Sequence, residues 1–566
     1  MTTSFSVGEQ EYEAKNFKDR QLDSSGDDSE LSETFTNDIG NMDECPKFLG
    51  CSGNKLQLVT SFMCSTGFLL FGYDQGVMGS LLTLPRFRET FPSIDTVKNP
   101  DSHTSTVQGF VVAVYEVGCL FGALTNLKIS DRFGRLKSIT LGCILMVIGG
   151  VIQASAFSIT QLIVGRIVSG LGNGMNTSSI PVYQSETARR EVRGKLVMLS
   201  GALITGGVAL SYWVDFGMYF TNGDESFRFP IAFQIIFPLA ILPLLGKLPD
   251  SPRWLASKKK FVEAARVFAA FNDTSVNDSE IMEELRMIRR SLAQEHLAQK
   301  KSNGLRTLLK QGKHRNFQRL MLGFWSQVFQ QITGINLITY YAGTIFERYI
   351  GMSALNSRIL AACNGTEYFL ASFIAFFTIE HFGRRKLMMF GACGQSLCMA
   401  LLTVLTLYAN KDNNGGLGIG AAVLLFVFNT FFAIGWLGMT WLLPAELTPL
   451  SIRAPANAIS TAGNWAFNFM VVMITPIAFT NIGSYTYTIF AVINALILPC
   501  VYFLYPETKG RSLEQMDDIF ASCPTTKPWK VVSIARNTPY EKKLVSDVES
   551  FSKPEIEQIE IYPSVN

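Results

Sequence analysis

The chain has 566 residues, of which 48% are hydrophobic and 17% charged, and Phe alone accounts for 43. So little charge at this length argues against an ordinary soluble enzyme, and a formal net charge of +3 leaves no nucleic-acid footprint. The ten Cys and four His show no Cys-x-x-Cys pair and no nucleophile motif, so no metal, cofactor or catalytic residue is expected and the Cys read as small buried side chains.

The first residues, including SSGDDSELSETFTNDIGNMDE, are polar and acidic and lack the apolar region of a signal peptide. Residues 1–55 are therefore predicted to be a disordered tail. Apolar runs of about 20 residues then recur, each long enough to cross a bilayer as a helix whose backbone groups pair internally. About twelve are predicted: 58–82, 106–127, 137–156, 160–181, 195–216 and 230–248, then 320–341, 360–379, 387–408, 418–443, 455–479 and 485–504. The polar stretch between the sets carries helix-like segments such as FVEAARVFAAF. The expected fold class is an all-α membrane protein of two six-helix bundles. The expected divisions are bundles at 56–248 and 320–505, a linker with short helices at 249–319, and a tail at 506–566 that is mobile from about Cys523.

Basic residues gather in alternate loops: Arg132, Arg135 and Lys137, then Arg189, Arg190, Arg193 and Lys195, the central stretch, and Arg384, Arg385 and Lys386. The positive-inside rule puts these loops, both termini and the linker in the cytoplasm. The sequons at Asn272 and Asn277 would then stay unmodified.

The two halves echo each other. DRFGR at 131–135 is matched by EHFGRR at 380–385, each after the second span of its half. Glu186 stands seven residues before Arg193, and Glu446 seven before Arg453, each pair after the fourth span. PDSPR at 249 and PETKGR at 506 each follow the sixth. Three matches in one order indicate related six-helix units, with a substrate site at their interface and alternating access by rocking.

Asp74 lies within the first span, where a charged side chain costs roughly 2.5–3.5 kcal/mol on insertion scales. It should face the interior with a partner, and Arg166 in the fourth span is the best candidate. A locking ion pair and a proton site are the two readings of this pair. In the seventh span Gln327, Gln330 and Gln331 fall within about one helical turn, and Asn336 follows. Such amides suit a hydroxyl-rich neutral ligand, because each hydroxyl leaves water only if its hydrogen bonds are replaced; helix–helix bonding is the alternative. Glu116 and Glu367, intramembrane acids, are further candidates.

The chain resembles the sugar-porter branch of the major facilitator superfamily. The resemblance covers about 55–517 and rests on DRFGR, GRIVSGLGNG, the Glu186/Arg193 pair, PDSPR, QQITGINLITYY, EHFGRRK, PAELTPLSIR, NWAFNF and PETKGRS. Within that branch VYEVGCLFG, IPVYQSE and SYWVDFG look most like the fungal glycerol/proton symporters.

The resemblance implies a proton-coupling role for Asp74 with Arg166. It adds Trp441 and Asn464 to the four amides as substrate contacts, and makes Tyr340 and Tyr341 gating or path residues. It also implies an intracellular salt-bridge network of Asp131, Arg135, Glu186, Arg193, Glu380, Arg384, Glu446 and Arg453. Departures bear on the substrate: Gly201 stands where many hexose carriers have Gln, and Tyr368 where they have Asn. The implied function is proton-coupled uptake of a small neutral polyol, glycerol first, by a monomeric, multi-pass plasma-membrane protein. A proton-coupled hexose or pentose symporter and a non-transporting nutrient sensor are the alternatives.

Overall fold

A computed structural model describes residues 45–99, 101–188, 190–301, 308–309, 311–312, 314–412, 415–449, 452–511 and 513–539. Among them there is no strand beyond one bridge between Phe48 and Cys51. Six long helices make the first half: α1 Gly53–Leu81, α2 Ser102–Phe133, α3 Arg135–Ala154, α4 Ile159–Thr187, α5 Arg190–Met218 and α6 Glu225–Leu245. In the second, α7 comes as α7a Asn316–Ile332 and α7b Ile335–Thr344, followed by α8 Ala354–Phe382 and α9 Arg384–Asp412. Then come α10 Gly416–Leu447, α11 Arg453–Ile482 and α12 Tyr485–Leu504.

The packing is the sequence repeat made spatial. In the first half α1 packs on α5, α2 and α3 both pack on α4, and α3 packs on α6. Adding six to each number gives the second half: α7a on α11, α8 and α9 on α10, and α9 on α12. The halves meet chiefly through α2 against α11 and α5 against α8, which the same operation exchanges.

Among the described residues nine helices are long and apolar enough to cross a membrane. The other expected spans are present as α4, α5 and α7 but are more polar, and their polarity is interior. Arg166, Asn173, Asn176 and Gln184 on α4, Ser211 and Asp215 on α5, and Gln327, Gln330 and Gln331 on α7a are all buried. Large apolar side chains such as Leu370, Phe377, Leu397 and Leu496 face outward instead, as lipid contact requires.

Backbone proximity is set by glycine where α2 crosses α4. A Cβ at Gly118 would stand 2.5 Å from the Ile167 carbonyl oxygen, and one at Gly170 would stand 2.3 Å from that of Tyr115. Close small-residue contacts of this kind hold helices together in lipid, where burial alone gives no drive. Gly118→Leu is expected to abolish the monodisperse size-exclusion peak of the detergent-solubilised protein. Gly217→Ala, where an added Cβ meets nothing within 4 Å, is expected to keep it.

The termini differ from expectation. The tail predicted to extend through residue 55 is fixed at its end: Ser52 Oγ donates to Asp273 Oδ1 at 2.6 Å. Beyond the last span, helices Leu513–Ala521 and Lys530–Asn537 fold back on the second half, although mobility was expected from Cys523. Phe520, Cys523, Val531 and Ala535 are buried, an amphipathic stripe that polar neighbours conceal in the composition. The linker holds helices Pro252–Ser257, Phe261–Asn272 and Ser279–Lys301.

Candidate functional site

The loop motifs build one device twice. Gly134 and Gly383 take φ of +104° and +84°, a region that disfavours a side chain. A Cβ on them would strike Asp250 and Glu507 respectively. Those acids belong to the PDSPR and PETKGR motifs and cap the next helix: Arg135 N donates to Asp250 Oδ1 at 3.0 Å, and Arg384 N to Glu507 Oε1 at 2.9 Å. Burial pushes the Asp250 carboxyl above its ordinary range, opposed by the backbone N–H donors of Ser251 and Arg135. The arginines reach on to the helix-four acid of their own half, Arg135 Nε to Glu186 at 3.2 Å and Arg384 to Glu446 at 3.0 Å.

Of the expected network, Arg135 also pairs with Asp131 at 3.1 Å. Arg453 donates to the Thr448 carbonyl at 3.4 Å, and the side chains of Arg193 and Glu380 lie outside the described residues.

Bonds between the halves gather at the opposite end, the far end. Ser105 and Thr480 hydroxyls are 2.7 Å apart, Arg348 donates to Thr96 Oγ1 at 2.6 Å and Arg358 to Thr83 Oγ1 at 2.8 Å. Tyr212 donates to the Thr339 carbonyl at 2.5 Å.

In the interior, α7 is broken rather than continuous as predicted. Gly334 has φ +98°, and a Cβ there would approach Phe490 to 2.9 Å. Asn494 Nδ2 on α12 donates to the Thr333 carbonyl at 2.9 Å, satisfying an oxygen that the break releases. The predicted amides assemble around this break. Asn464 Nδ2 donates to Gln327 Oε1 at 2.7 Å and to Gln330 Oε1 at 3.0 Å. Gln331 Nε2 donates to Gln330 Oε1 at 3.3 Å, and Asn336 donates to Gln331 and, at 2.7 Å, to Asn468 Oδ1. Asn468 was not singled out in the sequence, although its i+4 spacing from Asn464 puts both on one helix face. Trp441 is half-buried, outside this chain of amides. The carbonyl of Trp436 instead accepts from Gln330 Nε2 at 3.3 Å.

A second cluster lies on the first half. Asp74 is 3% exposed, and its Oδ2 accepts from Tyr115 Oη at 3.0 Å and Ser169 Oγ at 3.5 Å. The predicted direct pair with Arg166 is not formed: among the described residues no ion pair joins them. Tyr115 intervenes. The Arg166 guanidinium lies over its ring, 5.2 Å from the centroid, and donates to the Val112 carbonyl at 2.8 Å. A ring face and a carbonyl thus replace the water this cation loses. The spacing of Asp74 and Arg166 in sequence carries no information on this third residue.

Tyr340 on α7b donates to Glu116 Oε1 on α2, and Tyr341 donates to the Val472 carbonyl at 2.9 Å. Asn336 and Tyr340 are one turn apart on α7b, so this short helix touches both the amides and the acids. Glu367 and Tyr368 are not brought into either cluster. Glu367 accepts from Thr430 Oγ1 at 2.5 Å and lines a cavity of about 460 Å³ between α5, α8 and α10 with Trp213, Thr366 and Leu370. Tyr368 meets Phe432 edge-on, centroids 6.1 Å apart.

Two pseudo-symmetric six-helix bundles with a polar seam at their interface define a secondary membrane transporter of the major facilitator fold, not an enzyme. The family model described as "Sugar (and other) transporter" matches residues 59–520, and the chain belongs to that family, the sugar porters. It is 40% identical over 490 residues to Sugar transporter STL1 of Saccharomyces cerevisiae, covering 86% of this chain and 85% of that protein. It is 37% identical over 486 residues to the MFS-type transporter oryC of Aspergillus oryzae, covering 84% and 88%.

The xylose transporter XylE from E. coli, solved in a partially occluded inward-open conformation, superposes with a TM-score of 0.68 at 25% identity, over 81% of this chain and 100% of that one. The proton:xylose symporter XylE bound to 6-bromo-6-deoxy-D-glucose gives 0.67 at 26%, over 83% and 100%.

Proposed function

We propose that this sugar porter is a plasma-membrane symporter that takes up a small neutral polyol, glycerol first, together with protons. The loop-motif end and both termini face the cytoplasm, the far end faces outside, and one chain suffices. The observation that carries this reading is α7b, which joins the amide array through Asn336 to the buried acids through Tyr340. Ligand hydroxyls and a proton would then act on one movable helix. Differential affinity between two conformations is all that coupling requires. On this reading, bonds between the halves at the far end make the conformation an inward-facing one.

A small ligand is favoured over a hexose because Gly201 and Tyr368 supply no amide where many hexose carriers have Gln and Asn, and Tyr368 instead packs on Phe432. A proton-coupled pentose or hexose symporter is the second reading, favoured by the likeness to a xylose symporter solved with a deoxyglucose analogue.

Uptake of labelled glycerol by cells expressing the protein tests both. The expected result is saturable uptake that a protonophore collapses and that glucose and xylose do not inhibit. Inhibition by xylose, with no glycerol uptake, would give the site to the sugar.

A further inference from the structure

Glu116 is fully buried, at 0% exposure. Its Oε1 accepts from Tyr340, and its Oε2 has no hydrogen-bond partner among the described residues. It follows Tyr115, the residue between Asp74 and Arg166, and both Asp74 and Arg166 lie within its electrostatic reach. The other titratable groups facing it are Tyr340 on α7b and Tyr115 and Cys119 on its own helix. The titratable side chains of α3, Arg135, Lys137 and Cys143, and of α11, Arg453, are not among the groups that act on it.

The cluster therefore has two carboxylates and one guanidinium. With both acids ionised it would keep a net negative charge inside the membrane, which is costly without a partner. One proton held between the acids removes that charge.

We propose that Asp74 and Glu116 form a shared site for the transported proton, and that Tyr340 makes its occupancy depend on closure of the far end. The proposal rests on the reading of the chain as a proton-coupled carrier. Tyr340 belongs to the second half and Glu116 to the first, so far-end opening separates them. A phenol donor stabilises an ionised carboxylate. Without it, Glu116 favours the protonated form and takes a proton from external water as a carboxyl O–H. On closure Tyr340 returns, keeping its own proton, and the carboxyl O–H ionises to water on the loop-motif side. The guanidinium stays charged throughout.

The test uses purified full-length protein in proteoliposomes with an imposed proton gradient and labelled glycerol, or labelled xylose if glycerol is not carried. Glu116→Gln keeps a carbonyl oxygen for Tyr340 to bond but leaves one acid against one guanidinium. It is expected to lose accumulation and substrate-induced alkalinisation as fully as Asp74→Asn, while counterflow falls less than about tenfold. Glu116→Asp is expected to restore part of the accumulation. Tyr340→Phe removes the donor, so the pH profile of accumulation is expected to move to higher pH.

Wild-type accumulation by Glu116→Gln beside a null Asp74→Asn overturns the shared site and leaves proton coupling standing. Accumulation by both variants overturns proton coupling itself. If Glu116→Gln does not fold, an unshifted Tyr340→Phe profile overturns the proposal.

Discussion

Asp74→Asn is expected to abolish uphill uptake and leave downhill movement. Asn matches Asp in volume, and its carbonyl oxygen still accepts from Tyr115, which in the wild type lies at 3.0 Å, so the helix contacts survive. What disappears is a group that can exchange a proton. One proton crossing about 100 mV supplies ~2.3 kcal/mol, which at ~1.4 kcal/mol per decade sustains roughly fifty-fold accumulation of a neutral solute. The variant should bring that ratio to unity and remove the pH rise that accompanies substrate addition, while counterflow in vesicles continues. Undiminished accumulation would mean that Asp74 only fastens helices.

Asn464→Leu is expected to raise KM by about ten- to hundred-fold. The substitution nearly preserves volume but removes the amide whose Nδ2 serves both Gln327 and Gln330. Loss of a buried partner costs about 1–3 kcal/mol, and the array proposed to receive the ligand hydroxyls loses its central link. If the amides bind substrate as proposed, the loss should appear chiefly in KM, with kcat changing less. Initial-rate uptake measures it, and ligand-dependent thermal stabilisation of the purified protein should weaken in parallel. A KM within twofold of wild type would reassign the amides to helix packing.

Much of this was legible in the sequence because a bilayer imposes simple rules. Runs of apolar residues reveal spans, and the recurring Gly-Arg and acidic motifs are matched by the same capping geometry at Gly134 and Gly383. The amides of QQITGIN and Asn464 converge as their types imply. What was hidden is tertiary. The break at Gly334 looks like any glycine inside an apolar run until Asn494, 161 residues away in sequence, is seen to bond the freed carbonyl. Tyr115 between Asp74 and Arg166 depends on how three helices meet. Glu116 and Tyr340 were both noted as candidates, but their contact spans 224 residues and no local pattern encodes it. Asn468 is different: its signal was present in NWAFNF as an i, i+4 pair and needed only the helical period to be applied.

The docked carboxy-terminal segment carries the folded unit past the twelfth helix. Arg319, fully buried at the base of α7a, meets Asp517 Oδ1 at 2.6 Å and lies over the ring of Phe520. Arg315 donates to the Cys523 carbonyl at 2.9 Å, and Arg511 to that of Thr538 at 3.0 Å. A truncation placed after the twelfth helix would strip the counter-charge from Arg319 while leaving every membrane helix intact. The expression boundary that respects the architecture therefore lies past Thr538, because the residues after α12 are bonded to the base of α7a.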